Sequence, residues 1–345
     1  MKPAPRAPGD GHSLTELALT DLATRLHAFL TGLVPEATDI RIDELTPVSG
    51  GNARKAYAFD LVMGEENGHI DIPCIMLMQA GAGQLESDLT VEFRVIEALN
   101  DTDVPSPRAL WLDADGSALG SPTVIMERVT GVTDILALRA PEPAGRNRAI
   151  ALAFADAAAK LHMDDIKGLD FLGNPTRETA AAEQVALWEA QFLKHRMEPH
   201  PAIAFAFGWL KTHAPVAERV SLIHGDYRFG NFLFEDERIT ALLDWEMAHL
   251  GDPAEDIAWA YRSLWTPEMH LPLDAFVARY HTAGGPTIRP ENLLFYRLFG
   301  EIKHAVISLT AARSFADGRT NNLRLADRMT LALPCIKQFL DWLPA

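Results

Sequence analysis

Two apolar rhythms divide this chain, and the boundary between them restricts the fold more than any single residue does. Between residues 40 and 80, the runs Ile40-Arg-Ile42, Ala56-Tyr-Ala-Phe-Asp-Leu-Val62 and Ile70-Asp-Ile-Pro-Cys-Ile-Met-Leu-Met78 are short and rich in β-branched and aromatic residues. Gly50-Gly51 and the stretch from Gly64 to Gly68 separate them, which predicts three antiparallel strands. An amphipathic helix precedes them, with Leu22, Leu26, Phe29, Leu30 and Leu33 at helical spacing among Asp21 and Arg25. A helix from about Asp88 to Asn100 and a strand at Thr123-Val-Ile-Met-Glu127 follow.

Beyond Gly131 the periodicity is helical over 147–162, 178–197, 200–212, 253–265, 272–281, 291–314 and 322–343. One stretch interrupts it. Val220-Ser-Leu-Ile223, Phe232-Leu-Phe234 and Ile239-Thr-Ala-Leu-Leu243 are too short for helices and are punctuated by Gly225, Gly230 and the turn Glu235-Asp-Glu-Arg238. They predict a small hairpin embedded in helices. The order implies an α+β, bilobal fold: a loose tail over 1–12, a small antiparallel-sheet lobe over 13–126 and a larger helical lobe over 131–345, with a cleft between the lobes.

Composition removes several classes of function. With 48% hydrophobic and 23% charged residues the chain is neither disordered nor fibrous. Its 31 Lys+Arg against 47 Asp+Glu leave a net charge of −16, which argues against nucleic acid or an anionic membrane surface as a partner. Cys74 and Cys335 form no Cys-x-x-Cys pair, so neither a disulfide framework nor a thiolate zinc site is expected, and a reducing cytoplasm suits the chain. The proline-rich start lacks the apolar core of a signal peptide, and the longest uncharged apolar stretch, Pro199 to Leu210, falls short of the ~20 residues of a membrane helix.

The densest chemistry is Leu222-Ile-His-Gly-Asp-Tyr-Arg-Phe-Gly-Asn231, followed by Leu242-Leu-Asp-Trp-Glu246. If 232–234 and 239–243 pair as a hairpin, Asn231 and Asp244 lie side by side at the strand ends. An amide oxygen beside a carboxylate is an oxygen-ligand site suited to Mg²⁺, an ion that takes few protein ligands and completes its shell with water and phosphates. Asp226, in a glycine-bracketed loop, is a candidate general base. A base with an Asn and a second Asp on the metal is the set expected for phosphoryl transfer. A metal-dependent hydrolase is disfavoured because no His-x-x-x-His spacing occurs.

His224-x-Asp226-x-x-x-x-Asn231 with Asp244 resembles the signature of the protein-kinase-like fold. More narrowly, His-Gly-Asp-Tyr-Arg-Phe-Gly-Asn and Asp-Trp-Glu-x-Ala-x-x-Gly-Asp-Pro-x-x-Asp resemble the aminoglycoside phosphotransferase and choline kinase group, and the branch that includes kinase domains fused to acyl-CoA dehydrogenases. The resemblance implies an ATP- and Mg²⁺-dependent kinase of a small hydroxyl compound. It makes 127–130 the hinge, with backbone groups of Glu127 to Val129 on the adenine edge. Ser49, Gly50, Gly51 and Asn52 become the nucleotide-positioning loop, and Glu92 the helix glutamate that orients a basic residue over the phosphates. His224 then orients backbone and Asp256 braces the catalytic loop. Asp252 reads as an N-cap giving structural support, with Pro253 in the first turn and Glu255 completing a capping box.

The segment 291–314 is similar to acceptor-side helices of bacterial phosphotransferases, which makes Lys303, His304 and Arg313 candidate acceptor-binding residues, with Glu246 beside the metal pair. The implied acceptors are a hydroxyacyl-CoA or an amino sugar or amino alcohol. One departure stands out: the third strand carries no Lys or Arg where the family places its phosphate-binding cation. Either Lys55 or Arg54, just after the glycine pair, takes its place or the site binds nucleotide differently, and a nucleotide-binding pseudokinase without turnover is the competing reading.

Overall fold

The computed structural model describes residues 11–48, 54–65, 68–79, 88–141 and 145–344. Helix α1 (Gly11–Leu33) is followed by strands β1 (Thr38–Val48), β2 (Arg54–Glu65) and β3 (Gly68–Gln79), helix α2 (Leu89–Leu99), and strands β4 (Ala109–Asp113) and β5 (Thr123–Glu127). Leucines at 22, 26 and 30 form one stripe of α1, because residues four apart share a helix face. That stripe packs against Phe59, Leu61 and Met63 of β2 and Cys74, Met76 and Met78 of β3, which alternate toward the same side of the sheet. Leu26 and Leu30 are completely buried, and burial of this kind contributes about 1.5–3 kcal/mol per side chain.

The strand order is β1-β2-β3-β5-β4. The three strands expected between 40 and 80 are present but longer, and β4 joins the sheet as a strand not anticipated from its five residues. β2 and β3 pair antiparallel from Arg54 opposite Gln79 to Glu65 opposite Gly68. The chain divides into two compact units, one formed by residues 1–80 and 110–128, the other by 81–109 and 129–345, so α2 belongs to the second.

That second unit adds α3 (Ile135–Arg139), α4 (Arg146–Met163), α5 (Ala180–His195), α6 (Pro201–Thr212), β6 (Ser221–Ile223), β7 (Phe232–Glu235), β8 (Arg238–Leu242), β9 (His249–Gly251), α7 (Ala254–Ala260), α8 (Leu273–Thr282), α9 (Pro290–Ala316), α10 (Leu323–Asp327) and α11 (Ala332–Trp342). The expected hairpin is β7–β8, with Phe232 opposite Leu242. β6 does not join it; Ser221, Leu222 and Ile223 pair instead with Gly251, Leu250 and His249 of β9. The helix expected over 322–343 is broken into α10, a 3-10 turn at Arg328–Leu331 and α11. Pro334 explains the break: it has no N–H to donate and its ring clashes with the carbonyl one turn back, so it is tolerated only in the first turn of α11.

Helix α9 is the core of this unit. Every residue from Leu298 to Ala312 is buried, including Glu301, Lys303 and His304. Lys303 and His304, expected on the acceptor side, are thus enclosed in the core. All three are inside because each has a partner: Arg262 holds Glu301 with two hydrogen bonds of 3.0 and 2.6 Å, Glu255 pairs with Lys303, and Nδ1 of His304 lies 3.3 Å from the Cys335 sulfur. Paired charges can be buried; unpaired ones cannot.

Candidate active site

The loop after β6 is held from several sides. Backbone N–H groups of His224 and Gly225 donate to the two oxygens of the Asp256 carboxylate at 2.8 and 2.9 Å. Asp256 lies in the first turn of α7, fully buried, and Nε2 of His162 faces the same carboxylate at 3.1 Å. His162 is itself fixed by the Tyr280 hydroxyl at 2.8 Å. The His224 ring is buried; its Nε2 donates to the Leu243 carbonyl at 2.9 Å and its Nδ1 accepts the Asp226 N–H at 3.3 Å. That pairing selects one neutral tautomer, and burial pushes the imidazole below its ordinary value against the pull of Asp256 and Asp226.

Gly225 has φ +79°, and a Cβ there would lie 2.2 Å from the Met247 carbonyl oxygen, so only glycine fits. Tyr227 points inward, stacked on Phe154 with centroids 4.1 Å apart, its hydroxyl donating to the Phe154 carbonyl at 2.6 Å.

This scaffold presents the Asp226 carboxylate. Trp259 Nε1 donates to Oδ1 at 2.6 Å, Asn231 Nδ2 to Oδ2 at 2.6 Å, and Arg228 Nε bridges both oxygens at 3.2 and 3.1 Å. Trp259 carries no sequence signal for this contact. It is buried, but it lies three residues after Asp256 on α7, a spacing that puts both on one helix face, and both reach the same loop. No local signal marks His162, which comes from α4.

The hairpin brings Asn231 and Asp244 to its open end. Beyond the Phe232–Leu242 pair, the Leu243 N–H donates to the Asn231 carbonyl at 2.8 Å, and Asp244 is the next residue. Asp244 adopts φ +68°, a region costly for non-glycine residues and tolerated best by Asn and Asp. With Nδ2 of Asn231 turned to Asp226, its amide oxygen is the atom left for a cation. No cluster of three or more His, Cys, Asp or Glu suited to a metal occurs among the described residues. The donor types at this end are the Asn231 amide oxygen and the Asp244 carboxylate. Hard oxygen donors in small number fit Mg²⁺, not zinc or a soft metal.

Of the remaining expected residues, Ser49, Gly50, Gly51 and Asn52 lie outside the described residues. Lys55 is exposed on β2, opposite Met78 of β3, and β3 itself holds no Lys or Arg. Glu92 is buried in α2. Glu127 ends β5, exposed, and Val129 is half-buried. Asp252 accepts from the Ala254 N–H at 2.9 Å and from Asn292 Nδ2 at 2.7 Å. Glu255 does not close a capping box, because Lys303 and His249 take its two oxygens.

Glu246 is half-buried beside the buried Trp245. The acceptor-side residues are dispersed. Lys303 and His304 face the interior, and Arg313 is half-buried in an i,i+4 pair with Asp317 at 2.8 Å. His304 is held neutral: burial and then Arg262, Arg328 and Arg228 push it down to about 2.

The sequence model of the phosphotransferase enzyme family matches residues 45–291. Acyl-CoA dehydrogenase family member 10 of Mus musculus is 32% identical over 179 residues, 51% of this chain and 17% of that protein. The matches to this and two other curated relatives span only 17%, 30% and 22% of their lengths. Among solved structures, a Ralstonia eutropha protein assigned as an aminoglycoside phosphotransferase superposes with a TM-score of 0.69 at 24% identity, covering 92% of this chain and 97% of its own. Choline kinase from Streptococcus pneumoniae superposes at 0.57 with 14% identity, covering 92% and 99%. At these identities the structures establish the protein-kinase-like fold. No helix among the described residues is long and apolar enough to cross a membrane.

Proposed function

The chain belongs to the phosphotransferase enzyme family, and from that premise we propose that it transfers the γ-phosphate of ATP to a hydroxyl of a small molecule with Asp226 as base. The observation that carries this is the Asp226 carboxylate, held by Trp259, Asn231 and Arg228 on a loop pinned by Asp256, with Asp244 at the neighbouring hairpin end. The acceptor oxygen forms the new P–O bond as its proton passes to Asp226, the bond to the β-phosphate breaks, and ADP leaves. The Arg228 contacts, the longest to the carboxylate at 3.1 and 3.2 Å, are the first to yield when an oxygen takes the proton.

Asn231 and Asp244 would hold Mg²⁺, which when bound neutralises phosphate charge. Lys55, opposite Met78 on the neighbouring strand, is the candidate replacement for the missing third-strand cation. The resemblance to the acyl-CoA dehydrogenase relatives favours a hydroxyacyl-CoA acceptor, with amino sugars and amino alcohols as the alternative.

The absence of a third-strand cation supports a second reading, a pseudokinase that binds nucleotide without turnover. Thermal stabilisation by Mg-ATP separates the readings when combined with ADP release across the two acceptor classes. A ligand at 100 times its Kd adds about 2.7 kcal/mol. Wild type and Asp226→Ala should both be stabilised, with Asp244→Ala responding weakly. Asp226→Ala should lose transfer by about 10²–10⁴-fold. Stabilisation without any ADP release would favour the pseudokinase, and no response in the wild type would sink both readings.

A further inference from the structure

Lys303 is 1% exposed on α9, far in sequence from the loop it touches. Its Nζ donates to the Gly225 carbonyl at 2.7 Å and to Glu255 Oε1 at 2.9 Å. The Gly225 carbonyl and the Asp226 N–H belong to one peptide plane, and His224 Nδ1 accepts that N–H at 3.3 Å. Both polar groups of the plane are thus engaged, one by Lys303 and one by His224. Planarity of the peptide then fixes the direction in which the Asp226 Cα leaves it. Lys303 also reaches the base through a side chain: Nζ lies 4.7 Å from the Trp259 ring centroid, and the indole of Trp259 donates to Asp226.

Glu255 completes the device. Its second oxygen meets Nε2 of His249 at 3.1 Å, and Nδ1 of His249 lies 3.0 Å from the Met247 carbonyl, the same oxygen that a Cβ on residue 225 would strike. Burial raises the Glu255 carboxyl, but Lys303 and His249 outweigh it and hold it at about 2. The ammonium is therefore anchored by a carboxylate that stays ionised, and its remaining reach goes to a neutral carbonyl. Here one donor is spent on the residue directly before the base.

We propose that Lys303 is a positioning residue, which fixes the Gly225–Asp226 peptide and the Trp259 indole so that the Asp226 carboxylate is aimed at the acceptor hydroxyl. The proposal replaces an acceptor-binding role for Lys303, and it rests on the kinase reading of the site. Lys303→Met alone would leave Glu255 buried and short of a partner, so the test is the double variant Lys303→Met/Glu255→Gln, which removes both charges together. Two readouts are needed: steady-state ADP release with Mg-ATP, normalised to nucleotide-binding-competent protein, and hydrogen–deuterium exchange of the peptide spanning 222–231.

Loss of aim should lower kcat by about tenfold or more while the nucleotide KM stays within about twofold, and exchange at 225 and 226 should accelerate with α4 and α8 unchanged. Unchanged exchange in that peptide would overturn the proposal, as would faster exchange with kcat unaltered, because Lys303 would then only stabilise the loop. If the wild type neither binds nucleotide nor releases ADP, the kinase reading falls and the catalytic part of the proposal falls with it. The exchange measurement then still decides whether Lys303 holds the loop.

Discussion

The sheet of the first unit and the loop around Asp226 in the second are built by opposite means. Across β2 and β3 the fully buried positions are Phe59, Leu61, Cys74 and Met76, facing the leucines of α1. Around His224, Gly225 and Asp226 the buried groups are Asp256, Glu255, Lys303 and His162, each with named hydrogen-bond partners. Apolar contact is set by volume and shape, so many side chains satisfy it. A buried carboxylate is set by donors at particular points, and losing one partner leaves a charge with nowhere to go. The loop is therefore the less tolerant of the two structures.

Asp256→Ala is the sharpest way to break this comparison. It removes the acceptor for two backbone donors and the partner of His162, and should cost about 3–5 kcal/mol in urea denaturation, with the loss of ADP release following the loss of fold. A cost below about 1 kcal/mol would mean that the loop is held elsewhere.

Acid titration gives an intermediate effect confined to the second unit. His304 is held down to about 2 in the folded protein against an ordinary 6.5. A depressed folded value means that its contribution is whole above pH 6.5 and declines as the pH falls through the window toward 2, because only the unfolded chain takes up the proton. Below pH 6.5 that is about 1.4 kcal/mol per pH unit. In His304→Gln, the slope of unfolding free energy between pH 6 and 5 should fall by about one proton, though His224, also depressed by burial, keeps some of it.

The smallest effect belongs to the sheet. Met76→Leu conserves volume at a completely buried position and should cost less than about 1.5 kcal/mol by thermal unfolding. A larger loss would show that the sheet is as demanding as the loop.

Much of this was readable along the chain. The stripe on α1 and the alternation on β3 are short-range periodicities, and each element appears where its period does. The hairpin was readable because its apolar runs and charged turn are contiguous, and its register alone brings Asn231 next to the segment of Asp244. Other features were not. β6 finds its partner in β9, about 28 residues later, and three-residue strands carry too little pattern to name a partner. Lys303 and His304 read as acceptor-binding residues because a sequence shows charges but not their counterions. Glu255 stood three residues after Asp252, the spacing of a capping box, yet tertiary partners from α9 and from His249 took both of its oxygens.

Local order determined the elements, the glycine at 225 and the grouping of His224, Asp226, Asn231 and Asp244, since these depend on period, backbone freedom and short hairpin geometry. Only the tertiary structure decided that α9 is a core helix, that Trp259 and Arg228 occupy the Asp226 carboxylate, and that Lys303 grips the peptide before it. The physical reason is the same each time: whether a charged side chain is buried depends on a partner that arrives from elsewhere in the chain, and pairing energy, unlike periodicity, has no signature within the segment itself.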